Sequence, residues 1–519
     1  MLIQTPYNKN NFRLTGLPAG VKYNIANSPY AFLVVDWRCY FQSAAACVAT
    51  VNSGQDGYDA VEWIAQQSWS NGKVGTWGPS ALSVIQFQTA KEQPPHLVCG
   101  VPVVTAPQTY YSKYFEGGAL RIDYFDFVST YFGLNNIILD NPYYNNLWAY
   151  AETSSTYPQD IEVPMFIVGG WFDINVDDCF NMFNLLKTSS ATGVRNKHRL
   201  LMGPWSHSEI DNANQGDLMY NNAVGLADSL TRMYFDYHLE NVNNGWENTP
   251  FVRYYQMGTN ELRSNDVWPP NEVSNDTFFF HNNNILSPLA PTNTTNDFLS
   301  FVYNPQNPSP SIGGKYFETH FVNTNVGPID QRDSVESRND NIIYTSEPLT
   351  EDVVVQGKIK AKIYFSSDRK DTDLSLRITD VYPDGRSIIF AESHYRLRFR
   401  NGFTIADTAF MTPNSVYEVE METENLGLTF LEGHRIRVIV TSSNYPRFNR
   451  NMNTGEEMYP NYNIDTLVNP LIATNNIHSS ISYPSSIILP VNKTNDTTGT
   501  AINNLYLDDK MELMVYPVP

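Results

Sequence analysis

Three residues whose types could cooperate in nucleophilic chemistry each stand where a short apolar run gives way to a turn. They are Ser80 in Val74-Gly75-Thr76-Trp77-Gly78-Pro79-Ser80-Ala81-Leu82-Ser83, Asp173 in Gly169-Gly170-Trp171-Phe172-Asp173, and His207 in Gly203-Pro204-Trp205-Ser206-His207. A serine hydroxyl is a poor nucleophile unless a histidine takes its proton and a carboxylate fixes that histidine's tautomer. At Ser80 the expected turn from strand to helix within two residues forces strained backbone angles and lifts the hydroxyl clear of the sheet. Gly78 removes a side chain that would collide there, and the helix that follows directs its free N–H groups and positive dipole end at the same spot. Singly, Gly-Pro-Ser is an ordinary turn, an Asp after a strand is an ordinary helix cap, and a His after Trp-Ser can simply bond a carbonyl. Jointly, the order and placement point to a Ser-His-Asp triad and acyl chemistry that needs no metal or organic cofactor.

The elements that must position these residues alternate up to about residue 240. Apolar runs at Ala31 to Val35, Val74 to Trp77, Leu97 to Val104, Val163 to Gly169 and Arg199 to Met202 read as strands. Helical patterns read at Tyr58 to Gln67, Ala81 to Lys91 and Leu218 to Leu239. Continuous apolar runs separated by helices predict a mostly parallel sheet covered on both faces. Ser, then Asp, then His at the carboxyl ends of its strands is the order of the α/β-hydrolases. From Gln108 to Asp160 the chain is crowded with aromatics and reads as a small helical insertion, placed to form a cap over the site, although such clusters also form for packing alone. After about residue 275 alternating β-branched and aromatic runs (Val353 to Phe365, Leu374 to Val381, Ile436 to Thr441) predict a sandwich or jelly roll. The expected domains are therefore an α/β-hydrolase over 1–107 and 161–274, a helical cap over 108–160, an all-β jelly roll over 275–491, and a linker and tail over 492–519.

The length of 519 residues, with 17% charged and 42% hydrophobic side chains, describes a multidomain globular protein. A net charge of −20 disfavours nucleic acid and anionic membrane surfaces as partners, and no apolar run approaches a membrane span. Cys39, Cys47, Cys99 and Cys179 lack Cys-x-x-Cys spacing, and three sit in apolar stretches, so they predict free thiols rather than a zinc site or a disulfide framework.

The chain resembles the serine hydrolases that include cocaine esterase, X-Pro dipeptidyl-peptidases, α-amino-acid ester hydrolases and glutaryl acylases. The resemblance is carried in order by Thr5-Pro6-Tyr7, Asp36-x-Arg38, Asp56-Gly57-Tyr58-Asp59, Trp69 to Gly75, the two loops of Asp173 and His207, Arg253-Tyr254-Tyr255-x-Met257-Gly258, Asp371-Thr372-Asp373, Val381 to Arg386, and Ser442-Ser443-Asn444-Tyr445-Pro446-Arg447. It implies an α/β-hydrolase domain with a helical cap and a following jelly roll, with Ser80, Asp173 and His207 as the triad. It also implies an oxyanion hole made by the Tyr7 hydroxyl and the Ala81 N–H, and two fixed donors are what a tetrahedral oxyanion requires.

The departures are local. Ala81 and Ser83 replace the family's tyrosine and glycine at the elbow, and the serine is expected to loosen packing of helix on strand. Asn175 and Val176 stand where the α-amino-acid ester hydrolases carry the carboxylates that hold a substrate ammonium, so strict selectivity for α-amino esters is not expected. A peptidase acting after proline needs another anionic anchor, for which Glu116, Asp123 and Asp126 are the candidates. The expected substrates are small esters, amides or short peptides. Alternatives on the same site are an X-Pro dipeptidyl-peptidase and a β-lactam or glutaryl acylase, and from another class a binding protein with a decayed hydrolase domain. The two strands that normally precede the Thr-Pro-Tyr loop are absent, which predicts an unpaired apolar edge at Leu2-Ile3 and a longer natural N-terminus carrying a secretion signal. The ending Met514 to Pro519 resembles the opening of bacterial export-sorting domains, consistent with a periplasmic or extracellular protein.

Overall fold

The computed structural model describes residues 1–12, 29–317, 326–459 and 469–493. The amino-terminal half is organised around an eight-stranded sheet, counted among the described residues. Its strands are β1 (Leu2–Thr5), β2 (Leu33–Asp36), β3 (Val74–Pro79), β4 (Leu97–Val103), β5 (Phe166–Phe172), β6 (Arg199–Ser206), β7 (Val252–Gln256) and β8 (Glu261–Asn265). They lie in the order β8-β7-β6-β5-β4-β3-β1-β2, parallel throughout except for the β7–β8 pair. Every residue of β5 and β6 is buried, as expected of strands covered on both faces by helices.

Those helices are α1 (Ser53–Ala65), α2 (Ala81–Lys91), α5 (Val176–Ser189) and α6 (Leu226–Glu240); α3 (Ile122–Phe132) and α4 (Asn146–Ser155) belong to the aromatic segment between β4 and β5. The Asn52 side chain caps α1 by accepting from the Gln55 N–H at 3.1 Å. The expectation for α2 matches to the residue, whereas α5, directly after Asp173, has no counterpart in the sequence reading. Its first turn carries Asp177 and Asp178 together with buried Val176 and Cys179, and this mixture blurs the apolar stripe. The helix expected over Leu218 to Leu239 begins only at Leu226. Residues before it form a two-residue strand pair and a short 3₁₀ turn, and Gly225 at φ 74° starts the helix.

Two further expectations are corrected. β1 is flanked by β2 on one side and β3 on the other, so Leu2-Ile3 is not an unpaired edge; among the described residues the half-buried β2 is the outermost strand on that side. Cys39 and Cys47 form a disulfide, and only Cys99 and Cys179 are free and buried. The 3₁₀ helix Phe41–Ala46 turns the chain back on itself, which brings two cysteines eight residues apart together without any diagnostic spacing.

The carboxy-terminal half is antiparallel β-structure in two main sheets. One is built around the long strands Val353–Ser367 and Tyr417–Phe430, the other from Asn341–Thr345, Arg435–Thr441, Asp373–Val381 and Ser387–Arg396. The Asp373–Arg396 pair between neighbouring strands and the Asp371–Arg398 pair just beyond their ends are buried at 2.9 and 2.7 Å, which gives Asp371-Thr372-Asp373 a structural role. The expected linker and tail lies outside the described residues from 494 onward.

Candidate active site

Ser80 sits between β3 and α2 with φ 57° and ψ −126°, a conformation that costs a non-glycine residue about 1–3 kcal/mol and persists only where its surroundings impose it. Here they do: the Ser80 N–H donates to the Val103 carbonyl at 2.9 Å, and Gly78, at φ 148°, leaves space that any Cβ would fill at 2.6 Å from the Leu82 Cβ. The hydroxyl is thereby held at the mouth of the sheet. Ser83 does not loosen this junction. It is buried, and its Oγ donates to the Thr105 carbonyl at 2.7 Å, tying the first turn of α2 to the chain leaving β4.

Asp173 follows β5 and is 1% exposed; its Oδ2 lies 2.5 Å from the His207 Nδ1, and its Oδ1 accepts the Asn175 N–H at 2.5 Å. Since a carboxylate only accepts, Nδ1 of His207 carries the proton and donates to Asp173, and Nε2 is left facing away from that bond. Gly170 allows the close approach of the ends of β5 and β6, since a Cβ there would lie 2.2 Å from the Trp205 carbonyl oxygen. The Phe317 ring packs edge-on against the imidazole, with centroids 4.9 Å apart.

Tyr7 reaches the same place from the loop after β1. That loop is fixed by the Lys9 N–H donating to the Asp36 carboxylate at 2.6 Å, and Arg38, two residues on, pairs with Asp56 of α1. The Tyr7 hydroxyl shares the cavity with Ser80, and burial pushes its pKa up to about 12 against the lowering influence of Ser80, so it stays protonated at physiological pH. Ala81 is the first residue of α2, where helical N–H groups lack intrahelical partners.

Ser80, Ala81, Tyr7 and His207 line one cavity of about 250 Å³, together with Tyr114, Tyr124, Phe127, Phe132 and Phe317. The aromatic segment therefore does two jobs: Tyr111, Phe115 and Trp148 pack on one another, while four of its rings wall the cavity. Phe317, Lys113 and Thr105 escape sequence reasoning because nothing in their neighbourhoods marks them; Phe317 comes from the β-rich half of the chain. Of the candidate anionic anchors, Asp123 pairs with Arg121 at 3.1 Å and Glu116 with Arg447 at 3.2 Å, and none of Glu116, Asp123 and Asp126 lines this cavity.

Residues 1–137 and 128–209 match the family described as X-Pro dipeptidyl-peptidase (S15 family), and residues 244–488 match the X-Pro dipeptidyl-peptidase C-terminal non-catalytic domain. Cocaine esterase of Rhodococcus sp. (strain MB1 Bresler) is 27% identical over 556 residues, covering 95% of this chain and 93% of that protein. Among solved structures, an aminopeptidase from the marine sediment archaeon Thaumarchaeota archaeon superposes with a TM-score of 0.82 at 22% identity, over 94% of this chain and 91% of that one. An alpha-amino acid ester hydrolase does so with a TM-score of 0.78 at 21% identity, over 94% and 91% of the two chains. These structural likenesses share the arrangement of an amino-terminal hydrolase domain and a carboxy-terminal β domain.

Proposed function

We propose that this chain, whose amino-terminal residues match the S15 family model and which is 27% identical to cocaine esterase, is a serine hydrolase that cleaves an ester or amide acyl bond through a covalent acyl-serine formed at Ser80. The observation that carries this reading is the convergence of Ser80, His207 and Tyr7 on one cavity, with the His207 Nδ1 2.5 Å from buried Asp173. In the first half-reaction the Ser80 Oγ attacks the acyl carbon while the His207 Nε2 takes the hydroxyl proton. The carbonyl oxygen becomes an oxyanion held by the Tyr7 hydroxyl and the Ala81 N–H. Collapse breaks the bond to the leaving group, which receives the proton from His207. Water then enters, gives a proton to His207, and attacks the acyl-serine; the second collapse returns that proton to Ser80 and releases the acid.

The same reading makes the helical segment a cap and the β-rich half a jelly roll, with the catalytic domain at 1–107 and 161–274, the cap at 108–160 and the jelly roll at 275–491. It favours esters over peptides with a free amino terminus, because none of Glu116, Asp123 and Asp126 lines the cavity and the first two are engaged by arginines. An export destination is supported by the Cys39–Cys47 disulfide, since such bonds persist in oxidising compartments. Labelling with a fluorophosphonate probe tests the activated serine, and one panel of ester, glutaryl-amide and X-Pro substrates tests the acyl preference. Failure of the probe to label purified, folded protein would favour a decayed hydrolase that binds without turnover.

A further inference from the structure

Among the polar side chains that line the cavity with Ser80, Asn175 and Lys113 stand on one wall. Asn175 is 4% exposed; its Nδ2 donates to the Val104 carbonyl at 2.9 Å, which fixes the amide and leaves Oδ1 buried without a hydrogen-bond partner in the protein. Buried acceptors are nearly always paired, so one held unpaired against a substrate cavity points to a donor that arrives with the substrate. Lys113 lines the same cavity, with its Nζ 2.8 Å from Asp178 and 3.4 Å from the Thr105 Oγ1. An ammonium has three N–H donors, so one remains beyond these two contacts. Burial opposes the charge, but the attraction and hydrogen bond of Asp178 outweigh it and hold the Lys113 pKa above the ordinary lysine value.

Geometry joins the two residues. Val104 and Thr105, which they bond, are consecutive, and Asp178 lies one helical turn beyond Asn175 at the start of α5. Ser83 bonds Thr105 as well, so this wall is fixed relative to the nucleophile. We propose that the Asn175 Oδ1 and the Lys113 ammonium form a subsite for an acyl group bearing a neutral group that both donates and accepts a hydrogen bond, a hydroxyl or a secondary amide. The acceptor of that group faces the Lys113 donor and its N–H or O–H faces Asn175. A substrate ammonium would meet the like charge of Lys113, and a substrate carboxylate would bring a third acceptor beside Asn175 and Asp178 with no donor for Asn175. This inference rests on the acyl-hydrolase reading of the same cavity and names its substrate class.

The test uses 4-nitrophenyl esters of butyrate, 2-hydroxybutyrate, 3-hydroxybutyrate, N-acetylglycine and 2-aminobutyrate, each kcat/KM being divided by that ester's rate of hydrolysis in buffer. At least one hydroxyl or acetamido ester is expected to exceed butyrate by about tenfold or more, and the amino ester to fall below it. Asn175→Leu should bring the hydroxyl-to-butyrate ratio toward one, and Asn175→Asp, of the same shape, should shift preference toward the amino ester. A wild-type ratio near one, or a ratio that neither variant moves, overturns the subsite and leaves the hydrolase reading standing, and the wild-type ratio decides even if the variants do not fold. Absence of both probe labelling and turnover of every ester overturns the two together.

Discussion

Ser80 holds a strained backbone that a helix N-terminus and Gly78 impose, and the reward for that strain in a serine hydrolase is reach: the hydroxyl projects to where a base and an oxyanion site can meet it. Removing the hydroxyl by Ser80→Ala should abolish turnover and probe labelling while leaving the thermal midpoint close to wild type. His207→Ala should lower kcat by several orders of magnitude, because base and nucleophile act as a unit. Near-normal rates in either variant would remove the assignment. Tyr7 makes a separable contribution. Its raised pKa keeps the hydroxyl protonated, so it can donate to an oxyanion, and Tyr7→Phe should lower kcat by roughly a hundredfold or more with KM little changed. A change confined to KM would make Tyr7 a wall of the cavity and nothing more.

At the scale of elements, the positions of the Asp173 and His207 loops depend on how β5 and β6 are held side by side, and His198 at the threshold of β6 is one of the fasteners. It is fully buried; its Nδ1 accepts the Met165 N–H at 3.1 Å, and its Nε2 meets the Ser190 Oγ at 3.0 Å. The Nδ1 contact requires a neutral ring, since a protonated Nδ1 cannot accept, and burial lowers the pKa to about 3 from an ordinary 6.5. The unfolded chain therefore binds a proton between pH 6.5 and about 3 that the folded chain does not. This stabilisation is complete above pH 6.5 and declines as the pH falls, at up to about 1.4 kcal/mol per pH unit for one proton. In urea titrations at pH 7, 5.5 and 4, His198→Gln should be destabilised at pH 7 yet lose less stability on acidification than wild type; parallel losses would show that another group carries the acid sensitivity. None of this was legible in the sequence, where His198 is one polar residue before an apolar run. What was legible rests on continuous apolar strands ending in turns, which located β3, β4, β5 and β6 and the loops of Ser80, Asp173 and His207. What was not legible has separate causes: the charged first turn of α5 breaks its stripe, the Cys39–Cys47 pairing has no diagnostic spacing, and the cavity residues Lys113 and Phe317 depend on partners distant in the chain.

For the whole molecule, the question is why a domain far along the chain should matter to chemistry at residue 80. The aromatic segment that walls the cavity is fastened to the β-rich half rather than only to its own sheet. The Ile122 N–H donates to the Arg447 carbonyl at 2.8 Å, the Asn449 N–H to the Leu120 carbonyl at 2.9 Å, and the Phe317 N–H to the Asp123 carboxylate at 2.9 Å. At the centre stands Arg447, 1% exposed, whose guanidinium pairs with Glu116 of the helical segment at 3.2 Å and with buried Glu392 of the strand Ser387–Arg396. These contacts fasten the aromatic wall of the cavity to the β-rich half through Arg447, and the Asp123 contact holds Phe317 beside His207. Removing one member of such a buried pair leaves the other charge uncompensated, a loss of about 3–5 kcal/mol. Arg447→Met should accordingly lower the denaturation midpoint and, because the wall then loses its fixed position, reduce kcat/KM for esters whose acyl group fills the cavity more than for acetate. Probe labelling of Ser80 in the folded fraction should persist, since no contact of the nucleophile itself is touched. If Arg447→Met lost stability but kept the wild-type ratio of long-acyl to acetyl ester hydrolysis, the β-rich half would be a stabilising appendage and not part of the cavity's architecture.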